Sequence, residues 1–153
     1  MAATTVDGVL GVQALVGEHL GFSDWTTITG EQVDAFAAAT GDRGWVHVDP
    51  ERARADGPFG GPVAHGYLTL SLIPSLVPQI LRVSGFQMGV NYGTDRVRFP
   101  SPVPVGSRLR ASAVLDEARL VEGGVQLQLT VTLEVEGAER PCCVATVLVR
   151  RYL

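Results

Sequence analysis

The sequence predicts an α+β domain, and two patterns carry that expectation. Val125, Leu127, Leu129, Val131, Leu133 and Val135 alternate strictly with polar residues, which is the period of a strand with one buried face. Leu68, Leu72, Ile73, Leu76, Val77 and Ile80 surround a helical axis almost completely, and a helix apolar on nearly all sides is buried, usually against a sheet. The helix comes first and the strands follow it. A long helix lying on an antiparallel sheet buries both apolar surfaces at once.

Taken in order, a first strand is expected near residues 21–28. Residues 29–41 read as a helix: Thr29 and Gln32 have capping-box spacing, Val33, Phe36, Ala37 and Thr40 share one face, and Gly41 is a natural stop. A short irregular stretch, 41–48, leads to a second short helix, with Asp49 as its cap and Pro50 in its first position. Residues 57–64 carry three glycines and two prolines and must be a loop. The apolar helix begins after His65-Gly66. Ser71, Ser75 and Gln79 form its thin polar stripe, and Pro74, which removes a helical hydrogen bond, is expected to kink it. Strands are expected at 88–99, 107–116, 125–135 and 142–151. Pro102 to Gly106 form a rigid connector, and Gly123-Gly124 and Gly137-Ala138 mark the hairpin turns.

The 153 residues fit one domain, 1–153. All twelve basic residues are arginine, so Schiff-base chemistry, pyridoxal phosphate anchoring and the phosphate-binding lysine of a P-loop are excluded. The net charge of −4 with scattered arginines leaves no basic stripe to track phosphates, so nucleic acid is not expected as a partner. The longest apolar stretch is cut by Pro74 and Pro78, and no membrane span is expected. The N-terminus has no charged region followed by an apolar core of the secretory kind. Cys142 and Cys143 are adjacent, and strand neighbours point to opposite faces, so a disulfide between them is not expected. With only His19, His47 and His65 at wide spacing, they offer no metal set either. A reducing compartment, the cytoplasm, is the simple reading.

Two short stretches hold side chains suited to chemistry. Asp42 and His47 sit five residues apart between two helices, where a carboxylate and an imidazole can converge on one water. The plainer alternative is that Asp42 caps a turn after Gly41, a common arrangement, while His47 packs at the entry to the next helix. His65-Gly66 opens the apolar helix. A backbone N–H at a helix start has no intrahelical acceptor, and a glycine there leaves room for a ligand oxygen; the same glycine equally serves tight packing of helix on sheet. His65 reads as a structural residue that orients the loop. Trp45, Phe59 and Tyr67 are candidates to line an apolar pocket, or simply core. Arg96, Arg98, Arg108 and Arg110 read as solvated strand faces more readily than as phosphate ligands.

The run Ala39-Thr40-Gly41-Asp42-Arg43-Gly44-Trp45-Val46-His47-Val48-Asp49-Pro50 resembles the hydratase motif of the MaoC-like dehydratases, the (R)-specific enoyl-CoA hydratases. Gly61 to Leu68 resembles their second block. Asn91-Tyr92-Gly93, Val97-Arg98-Phe99-Pro100 and Pro102 to Gly106 resemble a third. The blocks occur in order across roughly residues 20–151. The resemblance implies a hot-dog fold, a long buried helix wrapped by an antiparallel sheet and paired as a homodimer. It implies reversible syn hydration of a trans-2-enoyl-CoA to an (R)-3-hydroxyacyl-CoA, with an acyl-CoA thioester as substrate and no metal or redox cofactor. Asp42 and His47 would hold and activate the water, and the Gly66 N–H would bind the thioester oxygen. Asn91, Trp45 and Tyr67 are the expected substrate contacts.

The chain departs from the family pattern in two places. Arg43-Gly44-Trp45 replaces a common His-Asn-Pro, which leaves the Asp-to-His spacing intact. Pro74 stands where some members carry a site serine, so that serine's role does not carry over. Two other functions fit the same fold: thioester hydrolysis, and a non-catalytic subunit that binds acyl-CoA.

Overall fold

The computed structural model describes residues 2–153. Strand β1 (Thr4–Asp7) leads into helix α1 (Gly8–Gln13). Strands β2 (His19–Phe22) and β3 (Thr26–Thr27) follow, then helices α2 (Gly30–Thr40), α3 (Trp45–Val48) and α4 (Pro50–Asp56). Next come α5 (Gly66–Ser71), α6 (Ile73–Leu76) and a 3-10 turn (Val77–Gln79). Strands β4 (Leu81–Ser84), β5 (Met88–Arg98), β6 (Arg108–Val121), β7 (Gly124–Val135) and β8 (Cys143–Tyr152) complete the chain. The main sheet runs β2-β6-β7-β8-β5, every pair antiparallel, with β3 also paired to β6. Strands β1 and β4 form a separate parallel pair.

The alternation expected for 125–135 is present. Val125, Leu127, Leu129, Val131 and Leu133 are buried, and they share one face with Leu109, Ala111, Ala113 and Leu115 of β6 and with Ala145 and Val147 of β8. Alanines at three of these positions leave room for a helix. The segment 66–79 fills it: α5 meets β8, while α6 and the 3-10 turn meet β6, so the segment crosses over β7. This is the hot-dog arrangement. On the outer face of the sheet, Arg110 lies directly opposite Glu134 and bonds it at 2.6 Å, and the Arg110 guanidinium also covers the rings of Phe22 and Trp25.

Three expectations need correction. The long single helix is three pieces, and its outer side is broad rather than a thin stripe, because Pro74 and Pro78 are exposed beside Ser71 and Ser75. The cause is the pair of prolines. Without its N–H, Pro74 cannot bond the Leu70 carbonyl, and Pro78 cannot bond that of Pro74, so the ladder breaks twice although Leu72 and Val77 keep right-handed helical angles. The expected strand near 21–28 is likewise two short strands on β6, and the irregular stretch 41–48 contains the single helical turn α3. Other local readings hold. Thr29 and Gln32 form a reciprocal capping box, Gly41 ends α2 with φ 82°, and Asp49 accepts from the Arg52 N–H at the start of α4. Among the described residues, no helix is long and apolar enough to cross a membrane.

Both cysteines are free and buried at the edge of this core. Burial pushes the Cys142 thiol up to about 12, with Cys143 adding to it, and burial pushes Cys143 up to about 11. A thiol-reactive chromophore should therefore label neither cysteine in the native protein at about pH 8, and both after unfolding. Leu129, 1% exposed on the central strand, is the sharpest test of the core. Leu129→Ala should cost about 2–5 kcal/mol in urea unfolding, read as a lower midpoint at unchanged slope.

Candidate active site

Three chain segments meet at the start of α5. The first is the exit from α2. Gly41 turns the chain in the left-handed region, and its N–H bonds the Ala37 carbonyl at 2.9 Å. Asp42 follows, with Oδ1 accepting from the Gly44 N–H at 3.3 Å. That bond closes a small turn, so the plainer role foreseen for Asp42 is real, but it engages only one carboxylate oxygen. The second segment is α3, whose single turn is held by the Gly44 carbonyl, which accepts from the N–H groups of His47 and Val48. His47 lies in that turn, on the side of Asp42.

The third segment is the end of the Gly/Pro loop. It is irregular but not loose. The Val63 N–H bonds the Val46 carbonyl at 3.1 Å, the Ala64 N–H bonds the Val103 carbonyl at 2.8 Å, and the Val105 N–H bonds the Pro62 carbonyl at 3.0 Å. Pinned in this way, the Val63 carbonyl meets His47 Nδ1 at 2.6 Å. A carbonyl only accepts, so Nδ1 carries the proton in this bond. In the neutral ring, Nε2 then has a free lone pair, the state of a general base.

Gly66 occupies the first position of α5, where its N–H has no intrahelical acceptor and no side chain caps it. A Cβ built on Gly66 would lie 2.9 Å from the Phe99 ring. Both readings of this glycine are therefore compatible with its position: it admits the aromatic ring, and it presents a bare N–H. A pocket of about 330 Å³ is lined by His47, Gly66, Phe59, Thr69, Phe99 and Cys142, among others.

His65 is 2% exposed and belongs to this cluster more closely than its sequence position suggested. Its Nε2 donates to the Asp42 carbonyl at 2.9 Å, and its ring stacks on His47 with centroids 3.9 Å apart and planes 24° apart. One donor atom each from Asp42, His47 and His65 lie within 4.8 Å of one another. Proximity alone does not make this a metal centre. Two stacked rings aim their in-plane lone pairs side by side rather than at one point, and His47 Nδ1 and His65 Nε2 are already committed to carbonyls.

The expected substrate contacts are dispersed. Trp45 does not line the pocket; its ring lies 4.4 Å from the Arg52 guanidinium, which holds it against α4. Tyr67 is 69% exposed and meets Phe99 edge-on at 6.1 Å, on the outer side of the helix start. Asn91 lines a second pocket of about 230 Å³, with Leu70, Ile73, Val77, Val147 and Arg151. Arg108 bonds Glu136 across the hairpin, as expected of a strand face. Sequence reasoning missed Val63, whose backbone oxygen holds the His47 ring and leaves no trace in residue type. It also missed Thr69 and Cys142, which reach the pocket from a helix and a strand.

Residues 12–137 match the family model described as MaoC like domain. The 3-hydroxyacyl-thioester dehydratase Z of Mycobacterium tuberculosis (strain ATCC 25618 / H37Rv) is 52% identical over 147 residues, covering 95% of this chain and 97% of that protein. Nodulation protein N of Rhizobium leguminosarum bv. viciae is 45% identical over 140 residues, covering 88% of this chain and 84% of that protein. Among solved structures, the (R)-hydratase from A. caviae involved in PHA biosynthesis superposes with a TM-score of 0.70 at 27% identity, over 88% of this chain and 94% of that one.

The glycine at the helix start supplies a structural test. Gly66→Ala should gain about 1 kcal/mol in helix propensity but force the Phe99 ring to move. The expected result is an unchanged or raised melting temperature together with shifted Phe99 ring resonances; a ring left in place would contradict the packing described.

Proposed function

The chain belongs to the MaoC-like dehydratase family, and we propose that it is an (R)-specific enoyl-CoA hydratase, interconverting trans-2-enoyl-CoA and (R)-3-hydroxyacyl-CoA. The observation that carries the proposal is the state of His47. Its Nδ1–H is spent on the Val63 carbonyl, which leaves Nε2 basic; His47 shares a pocket lining with Gly66, and donor atoms of His47 and Asp42 lie within 4.8 Å of each other.

The chemistry follows from that placement. The thioester oxygen accepts from the Gly66 N–H, which draws electron density from the conjugated β-carbon. Asp42 and His47 hold a water, and Nε2 takes one of its protons as the oxygen bonds to Cβ. The π pair of the alkene moves toward the thioester oxygen, where the Gly66 N–H stabilises the growing charge. The imidazolium Nε2–H then gives its proton to Cα from the side that held the water, the enolate pair forming the Cα–H bond as the thioester carbonyl is restored, so H and OH add to one face. Dehydration is the reverse. The conjugated thioester supplies the electrophile, so the proposed reaction uses no metal or redox cofactor.

The acyl chain has a path. Gly66, Leu70, Ile73 and Val77 recur at intervals of three or four residues along the helical segment, leading from the His47 pocket to the apolar pocket that contains Asn91. On this reading Asn91 meets the acyl portion rather than the water. We further propose a homodimer. Strand β5 has eleven residues, lies at the sheet edge with one side unpaired, and exposes Met88, Val90 and Tyr92. A long exposed edge that carries three apolar side chains at one end is covered most simply by a second copy. The free thiols Cys142 and Cys143 fit a cytoplasmic setting.

Asp42→Asn and His47→Gln should each lower the rate of enoyl-CoA hydration by about 10²–10⁴-fold with folding intact, the usual contribution of a general acid–base group. Hydration is followed by loss of the conjugated thioester absorbance and free CoA by a thiol assay. Unchanged turnover in both variants, or release of CoA in place of hydration, would refute the assignment. Light scattering should give twice the chain mass.

A further inference from the structure

His65 takes no part in the reaction as derived, yet it touches each component of the site. Its Nε2–H holds the Asp42 carbonyl across 23 residues of sequence, and its ring face lies on His47. Its carbonyl receives the Thr69 N–H and hydroxyl at the start of α5, directly before Gly66. The Phe36 ring of α2 packs 4.9 Å away, tilted by 55°. Asp42, His47 and Gly66 come from three separate elements, and this one buried side chain ties them together. Its Nδ1 has no hydrogen-bond partner, a cost that an apolar residue of similar size would remove. Packing alone therefore does not account for an imidazole here.

We propose that His65 is a positioning residue: its Nε2–H sets the backbone at Asp42, and its ring sets the plane of His47. The activity arm of the test rests on the hydratase reading; a second arm does not. His65→Phe keeps an aromatic face against His47 and removes the donor to the Asp42 carbonyl. His65→Gln retains an N–H donor near the Nε2 position and loses the ring. If His65 only filled space, activity would follow stability, and Phe would serve better than Gln. Positioning through the donor predicts the reverse order. His65→Phe should hold its melting temperature while kcat falls about 10–10²-fold with KM nearly unchanged, and His65→Gln should melt lower yet keep kcat within about tenfold of the native protein. Independently of activity, the amide of Gly44, which reports the Asp42 turn, should shift and exchange faster in His65→Phe and stay native-like in His65→Gln. If the native protein fails to hydrate any enoyl-CoA, the hydratase reading falls and the Gly44 amide alone decides. Activity that follows melting temperature across the two variants, or a Gly44 amide unmoved in His65→Phe, overturns the proposal.

Discussion

The hydrogen bond from His47 Nδ1–H to the Val63 carbonyl fixes the state of the imidazole on which the proposed reaction depends. It selects one tautomer and leaves the lone pair on Nε2. The bond is dependable because the acceptor is fixed. Val63 bridges to Pro104, and the flanking residues Pro62 and Ala64 bond the same connector before β6. A loop of glycines and prolines has thus been made rigid at its last few residues, where rigidity is needed. The rest of the loop can vary without moving the carbonyl.

The sheet and the helical segment serve that arrangement. The small residues Ala111, Ala113 and Ala145 let the segment sit close to the sheet, and the large residues Leu109, Leu115, Leu129 and Leu133 fill the space around it. The N-terminus of α5 is then held over β8. The two breaks caused by Pro74 and Pro78 lie beyond this first turn, so they bend the remainder of the segment without disturbing Gly66. With no lysine in the chain, the proposed reaction uses a carboxylate, an imidazole and a backbone N–H.

What the sequence disclosed follows the range of the forces involved. Strand β7 was legible because one buried face imposes a period of two, and α2 because its capping box and terminal glycine act within a few residues. Strand β1 was not legible: its pairing with β4 joins residues 77 apart, and four residues alone carry no pattern. Asp42 and His47 were legible as a spaced pair. The role of His65 was not, because its partners are a carbonyl from another segment and the face of another ring. Trp45 and Tyr67 lie outside both pockets, and an aromatic residue beside a glycine signals burial or a pocket equally well. Here Trp45 is held by Arg52, and Tyr67 faces outward.

In the proposed reaction, water activation and proton return take place on one face of a thioester held by Gly66. Hydration of crotonyl-CoA in D₂O tests that geometry directly. NMR of the product should reveal a single diastereomer of (R)-3-hydroxybutanoyl-CoA, with deuterium at Cα on the same face as the new hydroxyl. Scrambled deuterium at Cα, or the (S) alcohol, would contradict the one-faced site.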